Sequence, residues 1–97
     1  MIIALGVARA APGRLAELLD ACGRVAEESR QDQGCLDYGF HASISEPDLI
    51  TSVEIWHSQA ALDAHMHHQH TRRFLDAVSG LTDGEPQMQL LKAEPAH

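Results

Sequence analysis

The sequence predicts an α+β domain of the ferredoxin-like class, ordered β-α-β-β-α-β, in which an antiparallel sheet carries its helices on one face. Three observations predict it. Short runs alternate apolar with other residues, longer stretches repeat apolar residues at helical spacing, and "SEPD" at 45–48 is a turn placed to close a hairpin.

Each element can be justified in order. Ile3, Leu5 and Val7 alternate with Ala4, Gly6 and Ala8 as a first strand, up to the breaker "APG" at 11–13. Pro12 suits the first turn of a helix. Leu15, Leu18, Leu19, Cys22, Val25, Ala26 and Ser29 then follow at helical spacing, so this helix runs to about Arg30 with Gly34 as its stop. "CLDYGFHAS" sets Leu36, Tyr38, Phe40 and Ala42 opposite Cys35, Asp37, Gly39 and His41, a half-buried strand. Beyond the turn, Leu49, Thr51, Val53 and Ile55 oppose Ile50, Ser52, Glu54 and Trp56 in a third strand. Ser58 is a good N-cap for a helix presenting Ala61, Leu62, His65 and Met66 inward. A second stripe, Phe74, Leu75, Val78 and Leu81, is out of phase, which predicts a break at 69–71 and a second short helix ending at Gly80. "QMQLLKA" at 87–93 supplies a last strand, and the closing "EPAH" should fray.

Helices can cover only one side of such a sheet. The other side is too apolar for solvent and should meet a second copy face to face, making a homodimer. The 97 residues make one domain, 1–97, with no repeat or linker to divide it. A net charge of −7 works against contact with phosphate backbones or anionic lipid, so neither nucleic acid nor membrane is an expected partner. The opening "MIIALGVARA" is too short for a membrane helix and lacks a basic leader, which makes the cytoplasm the expected location. Cys22 and Cys35 are expected to be reduced packing residues.

The densest chemical signal is "LDAHMHHQHTRRF" at 62–74, with four histidines in six residues. On a continuous helix His65 and His68 share one face and His67 and His70 another. Leu62 and Met66 place His65 in the apolar stripe, while His67 and His68 should face solvent. Zinc wants three or four ligands on one side; His65 with His68 supplies two, and neither HExxH nor CxxC occurs. No metal is therefore expected, beyond adventitious capture by a surface pair such as His67 and His70.

Several stretches together resemble the antibiotic biosynthesis monooxygenase family of small dimeric α+β barrel proteins. They are "PGR" with "LL" before the first helix, "SRQDQGCLDYGF" at 29–40, "EIW" at 54–56 followed by "SQAALDAH", and His70 five residues after His65 and ahead of Phe74. The resemblance covers nearly the whole chain. It implies a dimeric barrel and cofactor-independent oxygenation of an aromatic quinol or anthrone-like polyketide. Relatives of the same pattern include a sugar-phosphate isomerase and haem-degrading enzymes. The latter, and some anthrone oxygenases, are thought to use an Asn beside the Trp and His, and this chain has no asparagine, which counts against a haem reading.

Oxygenation without metal or flavin has a physical requirement. Ground-state oxygen is a triplet and reacts with closed-shell molecules only when an electron-rich anion can give it an electron. A base must remove a phenolic or benzylic proton, donors must hold the oxyanion, and a dry pocket must protect the intermediates. His65 is the candidate base; its alternative is a core histidine held by backbone or a carboxylate. Trp56 and Tyr38 are candidate orienting donors, each equally readable as core. Glu54 shares a face with Trp56 and either fixes the His tautomer or forms an edge ion pair with Arg30 or Arg73. Glu54, with Phe40, His70 and Phe74, is a candidate substrate-binding residue, His70 alternatively capping the helix break. The expected pocket lies between the sheet and the second helix. Two rival functions are an isomerase moving protons on a small carbonyl compound with the same His, and a non-catalytic ligand-binding or dimerisation module.

Overall fold

A computed structural model describes residues 1–96. The elements are β1 (Ile2–Arg9), α1 (Leu15–Ser29), β2 (Cys35–Ala42), β3 (Leu49–Trp56), α2 (Gln59–His67), α3 (Gln69–Val78) and β4 (Gln87–Lys92). The strands form one antiparallel sheet in the order β2-β3-β1-β4, with the helices on one face. This is the expected ferredoxin-like α+β fold. No described helix is long and apolar enough to cross a membrane.

The pleat assigns the two sheet faces. Ile2, Ala4 and Gly6 of β1 lie opposite Trp56, Glu54 and Ser52 of β3, and these face the helices. Small β1 side chains leave room for that buried β3 row. At Gly6 the room is complete, because a Cβ there would strike the Ser52 hydroxyl. Ile3, Leu5 and Val7, paired with Ile55, Val53 and Thr51, form the opposite face, which no element among the described residues covers.

Several boundaries and faces depart from expectation. Pro12 lies in a turn ahead of α1 rather than in its first turn, since Gly13 takes φ 75° and the helix starts at Leu15. Leu36 does not share the inner face with Tyr38. A β-bulge between Cys35 and Asp37 turns it outward, and Cys35 packs against the Tyr38–Trp56 cluster instead. Met66 and Leu75 are exposed, because α2 and α3 each bury a narrow stripe, Leu62 with His65 and Thr71 with Val78. The helix break falls at His68, slightly earlier than expected. Residues 94–96 carry no helix or strand; the last of the residues expected to fray, His97, lies outside the described residues.

The interior has two ends. One cluster is Ile2, Val25, Ala26, Tyr38, Trp56 and Leu62; the other is Ala10, Leu18, Cys22, Ile50, Val78 and Leu81. Phe40 and Phe74 pack against both. The two thiols are free, and burial pushes that of Cys22 up to about 11.

Candidate active site

Gly34 begins the assembly of the site. Its φ of 83° turns the chain from α1 into β2, and its carbonyl accepts the His57 N–H at 2.8 Å. That bond ties the turn carrying Asp32 to the entrance of α2. The Ser58 hydroxyl then caps α2 by accepting from the Ala61 N–H, and two turns on the helix delivers His65 to Asp32.

At His68 the backbone becomes extended (φ −69°, ψ 148°), and α3 restarts in a new direction. A continuous helix would send His70 away from His65. With the corner, His65, His68 and His70 converge on one carboxylate. Asp32 Oδ2 lies 2.8 Å from His65 Nδ1 and 3.0 Å from His70 Nε2, and Oδ1 lies 3.0 Å from His68 Nδ1. The His68 approach lacks hydrogen-bond alignment. His67 points outward, its Nδ1 at 2.8 Å from the Asp63 carbonyl. His68 is half-exposed yet turns its Nδ1 to Asp32, and the expectation that at most two histidines converge is corrected. The three imidazoles and Asp32 each offer an atom, and these four atoms lie within 4.8 Å of one another.

Asp32 is the residue that sequence reasoning missed. It lies in the quoted stretch "SRQDQG", but nothing local marks it, because its partners are 33 to 38 positions away. An acidic side chain in the tight helix-to-strand turn was the available signal.

His65 is buried at 1% exposure beneath Trp56, whose ring centroid is 4.6 Å from it, and beside Tyr38 at 5.4 Å. Burial pushes the imidazole below its ordinary range, and the Asp32 hydrogen bond offsets only part of that. For Asp32, burial acts upward, but hydrogen bonds from His65 and His70, with the His68 ring close by, outweigh it and hold the carboxyl down. An ionised Asp32 can only accept, so the His65 proton sits on Nδ1 and leaves the Nε2 lone pair free. Thr71 Oγ is also 3.2 Å from Nδ1, which further fixes the ring.

Nε2 faces the sheet, 3.9 Å from Glu54 Oε1, which accepts the Trp56 indole N–H at 3.0 Å. Glu54 is therefore no edge ion pair. It is 5% exposed, and burial pushes its carboxyl up. Arg30 donates instead to the Tyr38 carbonyl, and Arg73 pairs with Glu28. Burial, with the nearby Glu54 charge, also pushes the Tyr38 phenol well above its ordinary range, so it stays a donor.

The space between sheet and α2, expected as the pocket, is filled by Trp56, His65 and Tyr38 themselves. The candidate wall residues line two other spaces. His70 and Phe74 border a groove of about 140 Å³ between α1 and α3, with Val25, Glu28 and Arg73. Phe40 borders an almost wholly apolar cavity of about 90 Å³ under α1, with Leu18, Cys22 and Ile50. Their rings touch at 5.7 Å and stand between these spaces.

Comparison with known proteins fits this frame. None of the curated proteins matches the sequence. Among solved structures, a candidate antibiotic biosynthesis monooxygenase from Deinococcus radiodurans is 24% identical and superposes with a TM-score of 0.93, covering 100% of this chain and 96% of its own. A Pseudomonas aeruginosa protein is 26% identical, with a TM-score of 0.88 over 97% of this chain and 94% of that one. A Mycobacterium tuberculosis protein is 18% identical, with a TM-score of 0.91 over 98% and 96%. The sequence profile described as antibiotic biosynthesis monooxygenase matches residues 1–77, from β1 to near the end of α3 and so across every candidate residue, and the chain belongs to that family.

Proposed function

We propose that the protein is a monooxygenase working without metal or flavin on an aromatic quinol or anthrone-like substrate, with molecular oxygen as the second reactant. The observation that carries this reading is the Asp32–His65 contact at 2.8 Å, which puts the proton on Nδ1 and leaves Nε2 as an acceptor in a nearly dry interior. The arrangement matches what anion formation requires: an oriented base, a carboxylate to stabilise the imidazolium, and donors nearby.

In this mechanism Nε2 takes a benzylic or phenolic proton. Tyr38 O–H and the Trp56 ring orient and stabilise the resulting oxyanion. The anion gives one electron to oxygen, the radical pair joins as a carbon-bound peroxide, and His65 returns its proton. For an anthrone-like CH₂, loss of water then leaves a carbonyl, so that CH₂ and O₂ become C=O and H₂O. Phe40, His70 and Phe74 wall the substrate, which enters by the groove between α1 and α3. A cavity of about 150 Å³ holds a single benzene ring, so a fused aromatic needs Phe74 to swing aside and join the groove to the cavity.

Assembly belongs to the same reading. The uncovered face of Ile3, Leu5, Val53 and Ile55 closes on a second copy as a homodimer, and the protein should elute at twice its 10.6 kDa. A monomer at micromolar concentration would refute that assembly. The function is tested by oxygen-electrode screening of reduced naphthoquinones and anthrones with EDTA present and no added flavin. Stoichiometric oxygen uptake with a carbonyl product is expected. The close packing around His65 favours one rival, a module in which these rings are only core; absence of uptake with every such substrate would favour it. Proton exchange into small carbonyl compounds without oxygen uptake would favour an isomerase.

A further inference from the structure

We infer that Asp32, His65, His68 and His70 form a binding site for a divalent transition-metal ion of the zinc type, and that a bound ion switches off the base. The second half rests on the function proposed above. The donor atoms are His65 Nδ1, His68 Nδ1, His70 Nε2 and an Asp32 oxygen; His65 and His70 lie 2.8 and 3.0 Å from Oδ2, and His68 lies 3.0 Å from Oδ1. Bonds of about 2.0–2.1 Å in a tetrahedral shell put neighbouring donors about 3.3 Å apart. The edges from Asp32 Oδ2 to His65 and His70 are already near that length. The remaining edges among the four donors, all within 4.8 Å, must close in.

Two further observations point to an ion. His68 Nδ1 is screened from solvent and lacks an aligned hydrogen-bond partner, although its side chain is 42% exposed and sits at the helix corner, where the ring can swing. On the far side of His65, Nε2 faces the buried Glu54 carboxyl at 3.9 Å. Ligating imidazoles commonly present their second N–H to a carboxylate in this way.

The donor set decides the class of ion and its role. Three imidazoles and one carboxylate suit zinc, cobalt(II) or nickel(II) rather than magnesium or calcium. Four protein ligands complete a tetrahedron and leave no open position for water or substrate, so the ion is held rather than used as a Lewis acid. Its effect falls on His65. An ion on Nδ1 takes that lone pair, and the ring's single proton moves to Nε2, which then donates toward Glu54 and has nothing with which to accept a substrate proton.

The test begins with full-length protein stripped by EDTA and dialysed, then titrated with cobalt(II) and zinc. One cobalt ion per chain is expected, with the intense visible bands of tetrahedral coordination, displaced by zinc. His68→Gln should weaken binding by at least ~10-fold, and His67→Gln should not change it. The weak bands of octahedral cobalt, equal affinity in His68→Gln, or loss of binding in His67→Gln would each overturn the site. In the oxygen assay, stoichiometric zinc should abolish uptake, EDTA should restore it, and His68→Gln should need at least ~10-fold more zinc for the same inhibition. Zinc binding as described with undiminished uptake would overturn the switch. Binding as described in a protein that consumes no oxygen with any substrate would leave the site standing and remove the monooxygenase reading. Uptake without binding would do the reverse.

Discussion

The two ends of the interior share α1 and β3 and carry different burdens. At one end Ala10, Leu18, Cys22, Ile50, Val78 and Leu81 bury aliphatic groups and a thiol. At the other, the aromatic rings of Tyr38 and Trp56 enclose Glu54 and His65, two ionisable groups at 5% and 1% exposure. Burying ionisable groups costs several kcal/mol unless they are paired, and the aliphatic end achieves closure without that cost. The polar end is therefore where the fold gives up stability, for chemistry on the proposed function, and the aliphatic end is where stability is recovered.

Four substitutions sharpen or break that contrast, in descending order of effect. His65→Ala should lower kcat by roughly 10²–10⁴-fold, the range for loss of a general base, while circular dichroism and gel filtration show a folded protein. Undiminished turnover would strip the polar end of its role. Leu81→Ala, at the aliphatic end, should cost about 2–5 kcal/mol in urea unfolding and leave turnover per folded molecule unchanged. A loss of kcat there would show that the two ends are not separable. Trp56→Phe keeps an aromatic ring but removes the N–H that Glu54 Oε1 accepts at 3.0 Å, and should cost about 1–3 kcal/mol of stability by stranding a buried oxygen. Equal midpoints for variant and wild type would mean that this carboxyl is satisfied some other way. His67→Ala, outside both ends, should stay within ~0.5 kcal/mol of wild type and turn over at the same rate. A larger change in either measurement would extend the site beyond the residues that converge on Asp32.

Much of this was legible in the sequence, for identifiable reasons. Period-two alternation put Glu54 and Trp56 on one face of β3, and period-3.6 spacing put His65 beside Leu62 on the inner stripe of α2; both patterns are local and both survive in the structure. Leu36 was misplaced because a bulge breaks the alternation without any glycine or proline to announce it. Met66 and Leu75 were misplaced because hydrophobic identity does not say how wide a stripe a helix buries. The convergence on Asp32 was illegible for a third reason. It needs a corner at His68 and a turn at Gly34 to meet in space, and neither is encoded near the other.

That corner has a mechanical consequence. The chain turns from α2 into α3 at a histidine, without the glycine or proline that would impose the turn through backbone preference, so the joint is set by what its side chains touch. His65 on one arm and His70 on the other are pinned to the same oxygen of Asp32, which acts as the clasp of a hinge. One turn beyond His70 the second arm carries Phe74, the ring between groove and cavity. On the proposed function, loosening the clasp would free that arm, and the atoms that orient the imidazole would also hold the door through which a guest reaches it.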